Sequence, residues 1–163
     1  EQARRLVAGA DVFLEAASPG ELARAGLDAA ALRRLNPRLV HVSLSPFGGS
    51  GPRAAWQASD LVTAALGGLL SVCGSPEKPL NPWGRQWFNA GGLYAAIAAL
   101  AGVHAVRTLG SAGMHFDLSL QHCAVSCSEQ LLMYWLHMGH VPERRKSLHW
   151  TGLYDVLPCG EGY

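Results

Sequence analysis

The chain has little net charge and no long run of one sign: 13 Lys and Arg stand against 12 Asp and Glu in 163 residues. A dedicated nucleic-acid binder gathers its cations on one face, so nucleic acid is not an expected partner. The nearest approach to a basic run, Arg144-Arg145-Lys146, reads as a solvated loop. Uninterrupted apolar stretches of membrane-spanning length are also missing. Leu93–Val106 comes nearest, but it is short and is closed off by His104 and Arg107, so no membrane partner is expected. The opening residues EQARRLVAGADVF have neither the apolar core nor the cleavage site of a signal peptide. Four cysteines, Cys73, Cys123, Cys127 and Cys159, lack the spacing of a secreted disulfide scaffold. Together these absences lead us to expect a cytoplasmic protein with reduced thiols. No internal repeat is present. The first residue is not Met and the last are Gly160-Glu161-Gly162-Tyr163, so the chain reads as part of something longer.

Common catalytic motifs are missing as well. There is no Gly-Lys-Ser/Thr P-loop, no dinucleotide GxGxxG and no G-x-S-x-G nucleophile elbow; Gly49-Ser50-Gly51 lacks the spacing. His122, Cys123 and Cys127 form an HC-xxx-C cluster without a fourth ligand, which reads as helical core thiols with no metal. His137, His140 and His149 read as caps or solvated side chains near a helix end.

What is present is an alternation of strands and helices, which predicts an α/β fold with a largely parallel sheet. Residues 1–9 read as a helix stopped by Gly9, and Asp11–Glu15 as a buried strand. Ser18-Pro19-Gly20-Glu21 has the spacing of a capping box, followed by a short helix over Asp28–Leu35. Asp60–Val72 predicts a buried helix broken at Gly67-Gly68, and Gly74–Trp83 a Pro-rich surface excursion. Ala90–Thr108 predicts the clearest helix, Met114–Leu120 a strand with His115, Asp117 and Ser119 on one side, and Gln121–Met138 one long helix. Tyr154–Leu157 reads as a strand entering another subdomain.

The organising stretch is Leu39–Asp60. A β-branched run ends at Leu44, then Ser45, Pro46, Phe47, Gly48, Gly49, Gly51, Pro52 and Arg53 form a loop, and a helix restarts near Ser59. Glycines in such a βα connection can leave backbone N–H groups free for a phosphate, a pantetheine arm or a thioester carbonyl, with Arg53 adding charge. The alternative is an ordinary connection. Asp60 follows as either a helix cap or a carboxylate near that loop.

These blocks resemble the family III CoA-transferases, the group that contains formyl-CoA transferase, carnitine CoA-transferase and α-methylacyl-CoA racemase. The segments that carry the resemblance are AGADVFLEAASPGELARAGLDAAALRRLNPRLVHVSLSPFGGSGP, ASDLVTAALGGLLSVCGSP, AGGLYAAIAALAG and GMHFDLSL, in the family's order. The resemblance implies a doubly wound α/β large domain over residues 1–150 that binds coenzyme A, with 151–163 starting a smaller domain or linker. It also implies an interlocked homodimer, an acyl-CoA and a small carboxylic acid as substrates, and no metal. The loop residues Ser45, Pro46, Phe47, Gly48, Gly49, Gly51 and Arg53 become CoA-binding candidates, and Asp60 a candidate catalytic acid.

In the family, an aspartate ahead of a Gly-rich helix attacks the thioester to form a mixed anhydride. Here Gly84–Tyr94 is the corresponding stretch, and its alignment puts either Phe88 or Trp87 where the aspartate belongs. No carboxylate lies between Glu77 and Asp117. The His of the racemase branch is replaced by Ser59, and Glu15-Ala16-Ala17-Ser18 stands where many members carry E-N-F-R. The resemblance therefore supports three readings: a CoA-transferase-like protein whose partner half supplies the carboxylate, an inactive acyl-CoA-binding scaffold, or a racemase-like enzyme using Asp60 or His115 as base.

Overall fold

The computed structural model describes residues 1–18, 20–144 and 159–160. The region expected to enter a smaller domain, including Tyr154–Leu157, lies outside them apart from Cys159 and Gly160. Three parallel strands, β1 (Val12–Glu15), β2 (Val40–Ser45) and β3 (Met114–Ser119), pair in the order β1-β2-β3. The register sets Phe13, His41 and His115 in one row and Glu15, Ser43 and Asp117 in the next. Because side chains alternate along a strand, both rows share a face.

The opposite face carries Val12, Val40, Val42, Phe116 and Leu118. It is covered by α5 (Gln86–Thr108), whose Ala95 and Val106 complete that core. Close packing there depends on missing side chains. A Cβ on Gly102 would lie 2.6 Å from Val40 Cγ1, and one on Gly91 would collide with Leu120 Cδ2. The 23-residue α5 is long and apolar enough, by length and composition, to cross a membrane, which the run Leu93–Val106 alone was not. Its packing across all three strands makes it the central helix of the α/β layer.

On the polar face, α1 (Gln2–Ala8), α2 (Glu21–Arg24) and α3 (Ala29–Leu35) enclose a smaller core of Val7, Leu27, Leu32 and Leu39, with Phe13 packed against it. Helices thus lie on both faces of a parallel sheet, and the α/β expectation holds. Gly9 ends α1 as expected, and Asp28 caps α3 through a 2.8 Å bond from the Ala31 N–H.

Four local expectations need correction. Only half of the capping box forms: Glu21 accepts the Ser18 N–H at 3.2 Å, while Gly20, at φ 79°, is the N-cap of α2. The central helix begins at Gln86, four residues before Ala90, because Arg85 at φ 53° turns the chain into it and Asn89 Nδ2 donates back to the Gly84 carbonyl. The final long helix is two, α6 (Leu120–Ser126) and α7 (Glu129–Met138). Between them the buried Ser128 hydroxyl donates toward the Gly67 carbonyl at 3.0 Å and the Val125 carbonyl at 2.8 Å, pinning the break. Cys123 is a core thiol, but Cys127 is exposed. The expected break at Gly67-Gly68 is present: α4 (Asp60–Leu66) gives way to a 3-10 turn at Leu69–Ser71.

Candidate functional site

Two cavities open at the carboxyl ends of the strands, on either side of the β2 terminus. The larger, about 650 Å³, is a groove whose walls are Ala16 and Ala17 after β1, Leu44–Pro46, the Ala54–Ala58 segment, Phe88 on α5 and Leu120 on α6. Arg24 of α2 supplies its cation. A mostly apolar groove of this volume with one charged side chain suits a long amphipathic ligand carrying an anionic group. Arg24 has no motif around it in the sequence; only the folding of α2 over the β1 terminus brings it to the groove.

Phe88 and Trp87 separate cleanly. Phe88 is part of the groove wall, whereas Trp87 is 5% exposed and packs with Ala64 and Ala124 in a third small core. Trp56 lines the groove, while Trp83 is 93% exposed and lines neither cavity.

The smaller cavity, about 280 Å³, lies over the polar face and draws on Glu15, His41, Ser43, His115 and Asp117. His41 and His115 stack with ring centroids 4.1 Å apart and planes 9° from parallel. Ser43 Oγ lies 2.8 Å from His115 Nε2 and 3.4 Å from Asp117 Oδ1. The Phe116 carbonyl is a further acceptor at 3.4 Å, and the single Ser43 proton serves one of the three; when Asp117 or Phe116 accepts it, His115 Nε2–H donates to Ser43.

Glu15 Oε1 stands 3.3 Å from His41 Nε2, yet the alignment leaves both ring nitrogens of His41 without a hydrogen bond, along with Glu15 Oε2 and Ser45 Oγ. Burial, reinforced by the Asp117 charge, raises the Glu15 carboxyl above its usual range. Burial first, and His115 second, lower the His41 imidazole to about 4, with Asp117 pulling the other way. His41 is thus a neutral base held among carboxylates. Of this cluster only His115 stood out in the sequence as a candidate base, because the cluster exists only once three strands are in register.

The Gly-rich loop is placed between the two cavities, but its residues do different things. Ser45 lines both cavities, Pro46 the groove and Gly49 the polar cavity. Phe47 is buried and meets Trp56 edge-on at 5.9 Å; Arg53 lies over the same groove-lining indole at 5.4 Å but lines neither cavity itself. Gly48 and Gly51 sit at φ 87° and 98°, conformations that favour glycine. The Gly49 N–H is already taken: it donates to Asp117 Oδ2 at 2.8 Å and Oδ1 at 3.0 Å. That one amide is therefore not free for a ligand.

Asp60 is not the cap of α4. Ser59 is, accepting the Val62 N–H at 3.3 Å. Asp60 lines neither cavity; Asn81 Nδ2 donates to its Oδ2 at 2.9 Å, and its Oδ1 is buried without a partner.

The sequence and the fold match known proteins. The profile of CoA-transferase family III covers residues 1–163. The chain is 32% identical over 161 residues to the succinyl-CoA:(R)-benzylsuccinate CoA-transferase subunit BbsE of Thauera aromatica, covering 98% of this chain and 38% of that protein. It is 32% identical over 163 residues to the succinate–glutarate CoA-transferase of Agrobacterium fabrum, covering 98% and 40%. Among solved structures, a CaiB/BaiF family protein from Brucella suis superposes with a TM-score of 0.86 at 31% identity, covering 99% of this chain and 43% of that one. The chain thus spans about two fifths of the length of these relatives. With the profile matched from end to end and relatives that share both sequence and fold, the chain belongs to CoA-transferase family III.

Proposed function

We propose that this chain is the CoA-binding section of a protein that moves CoA between carboxylic acids, and that it shapes the thioester site without supplying the attacking carboxylate. The observation that carries this reading is Phe88 in the groove wall. A phenyl ring cannot form a mixed anhydride, and Asp60 lines neither cavity. The groove's apolar length suits a pantetheine arm and an acyl chain, and Arg24 suits a phosphate. The nucleophile then comes from a partner half, through an interlocked dimer or a second family copy. A relative named as a subunit is consistent with that division.

Hydroxylamine trapping on the full-length protein, turning over acyl-CoA and an acceptor acid, tests this. Hydroxamate should form and map outside residues 1–163. A hydroxamate at Asp60 would refute the division of labour, and thioester binding with no turnover would favour an inactive binding scaffold. The racemase-like reading rests on the unpartnered Asp60 Oδ1. It requires exchange of the acyl α-proton with deuterated solvent, lost in Asp60→Asn. The reading also carries a cytoplasmic location, to be checked by cell fractionation.

A further inference from the structure

We propose that Asp117 is the positioning residue of the Ser45–Arg53 loop, fixing the wall that separates the groove from the polar cavity. This rests on the CoA-binding reading above. Both carboxylate oxygens of Asp117 take the Gly49 N–H, at 2.8 and 3.0 Å. A charged acceptor on a backbone donor is about twice as strong as a neutral one. The sequence on the loop side is matched to it. Gly48, at φ 87°, turns the chain, and Gly49 has no Cβ where one would stand 3.1 Å from Asp117 Oδ2.

Asp117 does not act alone on β3. Two residues on, the Ser119 hydroxyl donates to the Pro46 carbonyl at 3.3 Å, and the Gln121 N–H at the start of α6 donates to the same oxygen at 3.1 Å. One strand end thus grips the loop at two points, Pro46 and Gly49. Pro46 is in the groove wall, and Phe47 bears on Trp56, which is also in that wall. Moving Gly49 therefore moves groove surface.

Asp117 is itself held from behind, with Ser43 Oγ at 3.4 Å and His115 Nε2 beyond that hydroxyl. It is exposed, so its role is not to fill the core. It touches the loop and not the groove, which makes it a positioning residue and not a catalytic one.

The test uses the full-length protein and three variants. Asp117→Ala removes the acceptor, Asp117→Asn keeps one carbonyl oxygen for Gly49, and Gly49→Ala pushes the pair apart from the other side. Hydrogen exchange of peptides covering residues 46–53, without ligand, reads the anchor directly. The Gly49 amide should exchange roughly tenfold faster in Asp117→Ala, with Asp117→Asn between it and wild type. In steady-state assays, KM for the CoA thioester should rise roughly tenfold in Asp117→Ala and Gly49→Ala while kcat stays within about twofold.

Unchanged loop exchange in Asp117→Ala overturns the proposal, as does Asp117→Asn behaving like Asp117→Ala. If Asp117→Ala does not fold, Asp117→Asn and Gly49→Ala decide by the same readouts. If wild type binds no CoA thioester, the functional reading fails, while loop exchange still judges the anchor.

Discussion

Acid should weaken this fold through His41 before it reaches most carboxylates. The ring is 5% exposed, stacked on His115, and its pKa is lowered from 6.5 to about 4. Below about pH 6.5 the unfolded chain takes up a proton that the folded chain refuses. Stability therefore falls as pH drops through that value, and the loss levels off once pH passes below about 4. The full interval corresponds to about 3 kcal/mol, of which about 2 kcal/mol is gone at about pH 5.

Glu15 works in the opposite sense. Its raised pKa means that the folded chain holds its proton longer than the unfolded chain does. Its penalty therefore appears as pH rises above 4.5 and is relieved in acid. The two contributions oppose each other in acid, and comparison with a variant that lacks the imidazole isolates the His41 share.

The assay is a titration of histidine Cε1–H resonances, with His41 assigned by its absence in His41→Phe, combined with urea unfolding at about pH 7 and about pH 5. The Phe ring keeps an aromatic stack between Phe13 and His115 while removing the titrating group. The His41 signal should stay flat down to about pH 5. Wild type should lose about 2 kcal/mol more than His41→Phe across that interval. A His41 midpoint near 6.5, or parallel losses in the two proteins, would refute the reasoning.

Other substitutions separate packing from propensity. Gly102→Ala drives a Cβ to 2.6 Å from Val40 and should cost about 1–3 kcal/mol in urea unfolding. Gly92→Ala meets no atom within 4 Å and should raise stability by about 0.5–1 kcal/mol, although both glycines lie in the same helix. Trp87→Ala should cost about 3–5 kcal/mol by emptying the core beside Ala64 and Ala124. Trp87→Phe should cost much less, since it keeps a ring and removes an indole N–H that has no partner; unfolding midpoints report both.

The sequence showed the parallel α/β plan because each strand carries its own signal: β-branched alternation in Val40–Ser45, and His, Asp and Ser on one side of Met114–Ser119. Helix limits were less legible. Gly91 and Gly92 look like a poor helix start, yet Gly91 is there because Leu120 and Leu44 press against it, a tertiary demand that propensity does not register. The break between α6 and α7 falls in the polar run Ser126-Cys127-Ser128-Glu129-Gln130, but its pin, one hydroxyl on the distant Gly67 carbonyl, is a tertiary contact that the run itself does not announce. At the site, the loop's position was readable, but the use of its amide was not. Gly49 and Asp117 are 68 residues apart, and only parallel pairing of β2 with β3 brings them together. Distinguishing Phe88 from Trp87 likewise needed the rotation of α5, one residue of which turns a side chain from groove to core.

At 1.5 Å per residue, α5 is about 35 Å long, while a six-residue strand covers about 20 Å. The helix therefore overhangs the sheet, with its glycine-tight seat near Gly102 and Val40 at one end and Phe88 at the other. A second seat, Gly91 against Leu120 and Leu44, lies three residues from Phe88 and clamps that end as well. The place of the Phe88 ring in the groove wall is thus tied to how closely Gly91 lies on Leu44 and Leu120, so a side chain added at that glycine would shift the groove wall from the inside of the molecule.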